Sequence, residues 1–226
     1  KALASVLQQT HANLEILIVD NNSEDNSDEI VSSLKDSRLR LLKVNNKGVI
    51  ALSRNEGIRN AKGEWVAFLD SDDFWYKDRL ALISKNFRKA SYDLITTDEK
   101  INYLDERQRK RFLRYGPTST NLYKVMLLYG NRLSPSAVCV RREFLLKNNL
   151  FFNESRSFVT VEDYDLWLRF AKAGAKFRFI HSIQGEYTIH NKSSSSNEQI
   201  HLNNNTSLLK EHVYKIQNFE PNKNKL

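Results

Sequence analysis

Three aspartates crowd into four positions at the end of an apolar run: Asp70, Asp72 and Asp73 in "VAFLDSDDFWYKDRL", residues 66–80. Carboxylates that close repel one another unless a cation sits among them. Hard divalent ions take oxygen ligands, and Mg²⁺ is typically held by one or two carboxylates plus substrate phosphates. Side chains two apart on a strand share a face. Asp70 and Asp72 can therefore meet one ion, with Asp73 adding charge or reaching a water ligand. The same residues would also serve as a polar turn that caps the next helix. Phe74 and Trp75 are expected to pack or wall the cleft.

A second carboxylate, Asp20, ends the branched run "LEILIVD" (14–20) and leads into "NNSED". It is placed to accept hydrogen bonds from a ligand's N–H or hydroxyl groups, whereas Ser23 to Ser27 read as a turn with a helix cap. Glu162 and Asp163 open "VEDYDLWLRFAKAG" (161–174), where a helix dipole favours negative charge. That suffices for Glu162. Asp163 can also act as a general base, if oriented and partly desolvated. Asp165 and Trp167 are expected beside it, supporting it or touching an acceptor. His190 ends "EYTIH" and precedes Lys192 and Ser193–Ser196, a hydroxyl-rich stretch that could close over a phosphate. A lone histidine is more often a surface or packed residue.

The elements that must position these groups alternate. Strand-like runs at 14–20, 39–44, 64–70 and 92–99 are separated by helix-like runs near 27–35, 49–61 and 76–89. Such alternation argues for a parallel, doubly wound sheet, whose ligands bind beyond the carboxyl ends of the strands. "DNNSED" and "DSDD" should then share one cleft. Gly63 and Gly174 are read as helix C-caps. The second half offers helices at 119–129 and 161–174, with Leu166, Phe170 and Ala173 on one face, and strands at 136–142, 176–181 and 186–190.

Composition bounds the function. The chain has 226 residues, 40% hydrophobic and 27% charged, which suits one α/β domain or two small ones. A net charge of +8 favours anionic partners. The charge is interspersed with acids and carries no recognition motif, so nucleic acid is not expected. Cys139 is alone, which excludes a disulfide framework or a cysteine-based zinc cluster and fits a reducing cytoplasm. No apolar run is long enough to cross a bilayer, and no signal peptide shows at the start. The opening "KALASVLQQT" already reads as a helix, with Ala2, Leu3, Val6 and Leu7 as its stripe, so a preceding strand is expected to be missing. Arg107, Arg109, Lys110, Arg111 and Arg114 form either a solvated charge run or a patch for anionic lipid or a lipid-diphosphate acceptor.

Four blocks occur in order: "SVLQQTHANLEILIVDNNSEDNS", "ALSRNEGIRNAKGEWVAFLDSDDFWYKDRL", "EDYDLWLRFAKAG" and "YTIH". Together they resemble the inverting family 2 glycosyltransferases of the GT-A fold; a lone D-x-D would be a weak match. The resemblance implies an α/β, Rossmann-like, mostly parallel sheet flanked by helices, here without its usual first strand. It divides the chain into a nucleotide-sugar-binding half (1–100), an acceptor-binding and catalytic half of the same domain (101–212) and a polar tail (213–226). It implies that Asp20 and Asn21 contact the uracil, although relatives carry a second aspartate at position 21. Arg54 falls in the helix that contacts the donor. Asp70 and Asp72 match the D-x-D, with Asp72 the direct ligand of Mn²⁺ or Mg²⁺. Asp163 matches the catalytic base, with Glu162 beside it at the substrate. His190 lies near the diphosphate and the metal, with Thr188 where the family has arginine.

The implied reaction moves a sugar from a UDP-sugar donor to a glycan or lipid-linked acceptor in cell-surface polysaccharide synthesis. The implied place is cytoplasmic, with peripheral membrane association at the inner face. A nucleotidyltransferase of the same fold, or a non-catalytic nucleotide- or carbohydrate-binding module, are the competing readings.

Overall fold

The computed structural model describes residues 1–23, 26–87, 91–104, 111–116, 119–190 and 197–216. The strands are β1 (Ile16–Asp20), β2 (Leu39–Lys43), β3 (Trp65–Ala67), β4 (Phe74–Trp75), β5 (Leu94–Tyr103), β6 (Arg111–Leu113), β7 (Val138–Arg141) and β8 (Phe177–Ile189). The helices are α1 (Ala2–Leu7), α2 (Ser27–Ser33), α3 (Ile50–Asn60), α4 (Arg79–Ser84), α5 (Leu122–Tyr129), α6 (Arg142–Lys147), α7 (Glu162–Lys172) and α8 (Glu198–Lys210).

The chain is α/β, but among the described residues parallel pairing is confined to β1–β2 and β5–β8. The larger sheet runs β3-β7-β5-β8-β4, with β6 on β5, and its remaining pairings are antiparallel. This corrects the expectation of a mostly parallel sheet. The alternation that predicted it spans the first half of the chain, whereas β7 and β8 come from the second half and insert between strands of the first. The two strands expected at 176–181 and 186–190 are one, β8, which follows β5 through two register shifts. Strand β6 and helix α8 were not foreseen.

Three local differences bear on the site. Strand β3 stops at Ala67, so pleat alternation does not orient Asp70 and Asp72. A turn does, in which Asp73 N donates to Asp70 O at 3.1 Å. The helix expected over 76–89 is only Arg79–Ser84, because Phe74 and Trp75 pair with β8 and Tyr76 N donates to Gln184 O. Gly185 permits that pairing: a Cβ there would stand 2.8 Å from Phe74 O. Finally, α3 ends on Ala61 in extended backbone, so Gly63 is not its cap. Gly174 does end α7, at φ +80° with Ala175 N donating to Phe170 O.

The main core lies between α3, α5, α7 and the larger sheet. Its centre is Trp167, with Phe68, Phe152 and Phe170 at ring-centroid distances of 6.4, 6.2 and 6.0 Å. Leu166 and Phe170 are fully buried as expected, while Ala173 is exposed at the helix end. Each such large side chain withdrawn from water contributes roughly 1.5–3 kcal/mol. Packing on this scale fixes the N-terminal turn of α7, where Asp163 sits.

Candidate active site

Arg54, on α3, is the hub. Its Nη2 donates to both oxygens of Asp70 at 2.7 and 3.0 Å, and its Nη1 to Glu162 Oε1 at 2.7 Å. Its side chain is only 10% exposed and its guanidinium lies 5.3 Å over the Phe152 ring. Burial opposes its charge, but the Asp70 and Glu162 carboxylates outweigh this and hold Arg54 above its ordinary pKa. Helix α3 is fixed by Asn55, whose amide donates to Phe152 O and accepts from Phe152 N, both at 2.8 Å.

The aspartate turn divides its labour. Asp70 faces Arg54, and Asp72 Oδ2 lies 3.1 Å from His190 Nε2, at the end of β8. Asp73 turns inward, contrary to the expectation that it adds charge or reaches a water ligand. It is buried, accepting from Ser136 Oγ at 2.5 Å and Thr188 N at 2.7 Å. Thr188, the residue where the family has arginine, thus tethers the turn to β8 through its backbone. Trp75 is buried and donates from Nε1 to Ser136 O at 2.7 Å, so it packs under the turn. Burial pushes the Asp73 carboxyl up to about 7, against those two hydrogen bonds.

This shift has a sign. Between its ordinary value of 3.8 and about 7, Asp73 is protonated in the folded chain and ionised in the unfolded one. Stability therefore falls as pH rises through that window. Asp73→Asn keeps an acceptor for Thr188 N and an N–H for Ser136, and should remove on the order of 2–4 kcal/mol of that pH dependence. Urea unfolding at about pH 5 and about pH 8 checks it; an unchanged pH dependence in the variant would contradict the assignment.

Asp163, at the start of α7, accepts from Asn131 Nδ2 at 2.9 Å. Burial and the adjacent Glu162 carboxylate push it up to about 7, with Arg54 and Asn131 working the other way. Asp165 and Trp167, expected as supporting or acceptor contacts, are buried, which fits the supporting place and not a direct acceptor contact. Asp165 takes His212 Nε2 at 2.9 Å and Arg169 Nη2 at 2.6 Å, which locks α7 to the chain beyond α8. Asp20 is buried and accepts from Ser23 N and Oγ, while Asn21 Oδ1 accepts from Asn46 N at 2.7 Å. Their hydrogen bonds organise the loops after β1 and β2. The aspartate loop and β1 share an apolar cluster through Leu69, Trp75, Ile16 and Ile18.

Among the described residues, no three His, Cys, Asp or Glu side chains gather closely enough to hold a metal ion by themselves. Lys192, Ser193–Ser196, Arg107, Arg109 and Lys110 lie outside the described residues. Asn55, Asn131 and Ser136 were not singled out from sequence; the one hint was Asn131 following Gly130, a helix-end glycine at φ +84°.

The family profile described as "Glycosyl transferase family 2" matches residues 1–150. The chain belongs to this family. A family 2 member is a glycosyltransferase, which sets aside the nucleotidyltransferase alternative. The chain is 31% identical over 210 residues to the Escherichia coli protein named "UDP-Glc:alpha-D-GlcNAc-diphosphoundecaprenol beta-1,3-glucosyltransferase WfaP", covering 91% of this chain and 78% of that one. Its fold is that of Staphylococcus aureus TarS in complex with UDP-GlcNAc, with a TM-score of 0.73 at 21% identity, over 95% of this chain and 62% of that one. It is also that of the Pyrobaculum calidifontis mannosyltransferase PcManGT in complex with GDP-Man and Mn²⁺, with a TM-score of 0.65 at 17% identity, over 97% and 60%. The GT-A expectation is borne out, with the sheet corrected as above. Among the described residues, no helix of this glycosyltransferase is long and apolar enough to cross a membrane.

Proposed function

We propose that this family 2 glycosyltransferase moves a sugar, with inversion and with a divalent metal, from a UDP-sugar to a hydroxyl of a lipid-linked glycan. The setting is cell-surface polysaccharide assembly at the inner face of the membrane. The observation that carries the reading is Asp163: a carboxyl raised towards neutrality, aimed by Asn131, and linked through Glu162 and Arg54 to the aspartate turn. Likeness to WfaP, whose name specifies UDP-Glc and a diphosphoundecaprenol-linked acceptor, supports the donor and acceptor classes.

The donor set fits a hard ion. Asp72 is 38% exposed and His190 25%, paired across the cleft, with Asp70 alongside. Two or three protein ligands suffice when substrate phosphates supply the rest. Asp72 and His190 would hold Mn²⁺ or Mg²⁺, with Asp70 in support, and the ion supplies neutralisation of charge on the departing diphosphate. Asp20 and Asn21 receive the uracil by accepting and donating hydrogen bonds. Arg54 keeps Asp70 and Glu162 in place at the donor. Asp163 takes the acceptor hydroxyl's proton as that oxygen bonds to the anomeric carbon and the carbon–oxygen bond to the diphosphate breaks. Attack from the opposite face inverts the anomeric configuration, releasing UDP.

Transfer from UDP-glucose to a short-chain alkyl diphospho-GlcNAc should be abolished by EDTA and restored by Mn²⁺ or Mg²⁺. Transfer insensitive to EDTA would overturn the metal role. No transfer with any UDP-sugar would favour a non-catalytic binding module.

A further inference from the structure

Helix α5 ends at Tyr129 and the chain leaves it through Gly130, Asn131 and Arg132. Gly130 stands at φ +84°, and Gly130 N donates to Met126 O at 2.8 Å. Tyr164, next to Asp163, ties this helix end to α7 by donating to Met126 O at 2.7 Å. Asn131 cannot be turned either way: Leu133 N donates to its Oδ1 at 3.2 Å, so its amide N–H faces Asp163.

Two large side chains at this helix end are open to solvent. Tyr129 is 68% exposed and Leu128 65%, the highest of the exposed large apolar residues among those described. The Arg132 guanidinium stands 5.8 Å over the Tyr129 ring, yet Arg132 Nε is buried without a hydrogen-bond partner. An exposed ring with a guanidinium over it offers a ligand an aromatic face beside a positive charge, which suits a ligand that is part apolar plate, part anion.

We infer that Tyr129 and Arg132 form the acceptor subsite, Tyr129 stacking on the acceptor's terminal sugar and Arg132 pairing with the phosphate that follows it. Asn131 is a positioning residue that holds Asp163 towards that sugar's hydroxyl. The inference rests on the proposed transfer reaction, and names its acceptor's chemistry: a glycosyl diphosphate. The placement argues for acceptor over donor. Asp163 is joined to the metal-side residues through Glu162 and Arg54, and to this helix end through Asn131, so an occupant of the helix end meets the base first.

The test uses the full chain and a short-chain alkyl diphospho-GlcNAc. Tyr129→Ala should raise the acceptor KM about ten-fold, the loss of one stacking contact, while the UDP-sugar Kd by calorimetry stays the same. Tyr129→Phe should restore it. Arg132→Met should raise KM for the diphosphate acceptor but not for methyl-GlcNAc. Unchanged acceptor KM in both variants would overturn the proposal. If the wild-type chain gives no transfer, calorimetric binding of the same acceptor decides: binding lost in Tyr129→Ala supports the subsite, and equal or absent binding overturns it.

Discussion

Asp163→Asn should lower kcat by about 10²–10⁴-fold, the usual worth of a positioned general base, with donor affinity unchanged. The substitution is nearly isosteric and preserves an acceptor for Asn131 Nδ2, which lies 2.9 Å from Asp163 Oδ2. What it removes is a proton acceptor whose affinity burial and Glu162 have raised to about 7. The base works only when ionised, so wild-type kcat/KM should fall as pH drops below that value. In Asp163→Asn this acidic limb should vanish along with most of the rate. Rate measurements across pH, with donor titration by calorimetry, check both halves. A variant with wild-type turnover would remove Asp163 from the chemistry.

The second large effect is expected at Arg54. Arg54→Met should cost about 3–5 kcal/mol of stability, because it strands a carboxylate that cannot easily rehydrate. Glu162 is 7% exposed at its side chain, and its other oxygen, Oε2, is buried with no hydrogen-bond partner. Asp70 is better placed to reach water at 29% exposed. Arg54 also lowers the pKa of Asp163, so its loss should move the acidic limb of the rate profile to higher pH. Arg54→Lys should not rescue, since one ammonium cannot fork to two carboxylates as a guanidinium does. Denaturant midpoints and the pH profile read these separately. A stability change under about 1 kcal/mol would show that the pair of ion bridges is solvent-screened.

The candidate carboxylates are legible in the sequence because each ends an apolar run or opens an amphipathic helix. Asp20, Asp70, Asp72 and Asp163 announce themselves against hydrophobic neighbours. Their partners did not, because partnership is a long-range fact. Asn131 finds Asp163 across 32 residues, Ser136 finds Asp73 across 63, and Thr188 finds it across 115. The inward turn of Asp73 depends on both of those partners, so the sequence could show three aspartates but not which one points away from the cleft. The sheet failed for a similar reason. Alternating strands and helices specify local elements, while antiparallel insertion of β7 is decided by where its apolar run, Val138 to Val140, can be buried. Asp165 and Trp167 could be read as supporting or acceptor contacts because helix periodicity places them near Asp163 without saying which side faces the core; their burial leaves the supporting place.

The most direct test of the central claim, a single displacement with Asp163 as base, is the anomeric configuration of the product. Transfer from UDP-α-glucose to the alkyl diphospho-GlcNAc acceptor, followed by ¹H NMR of the isolated product, should show a β-linked glucose. An α-linked product would mean retention, and would contradict both the one-step mechanism and the role given to Asp163.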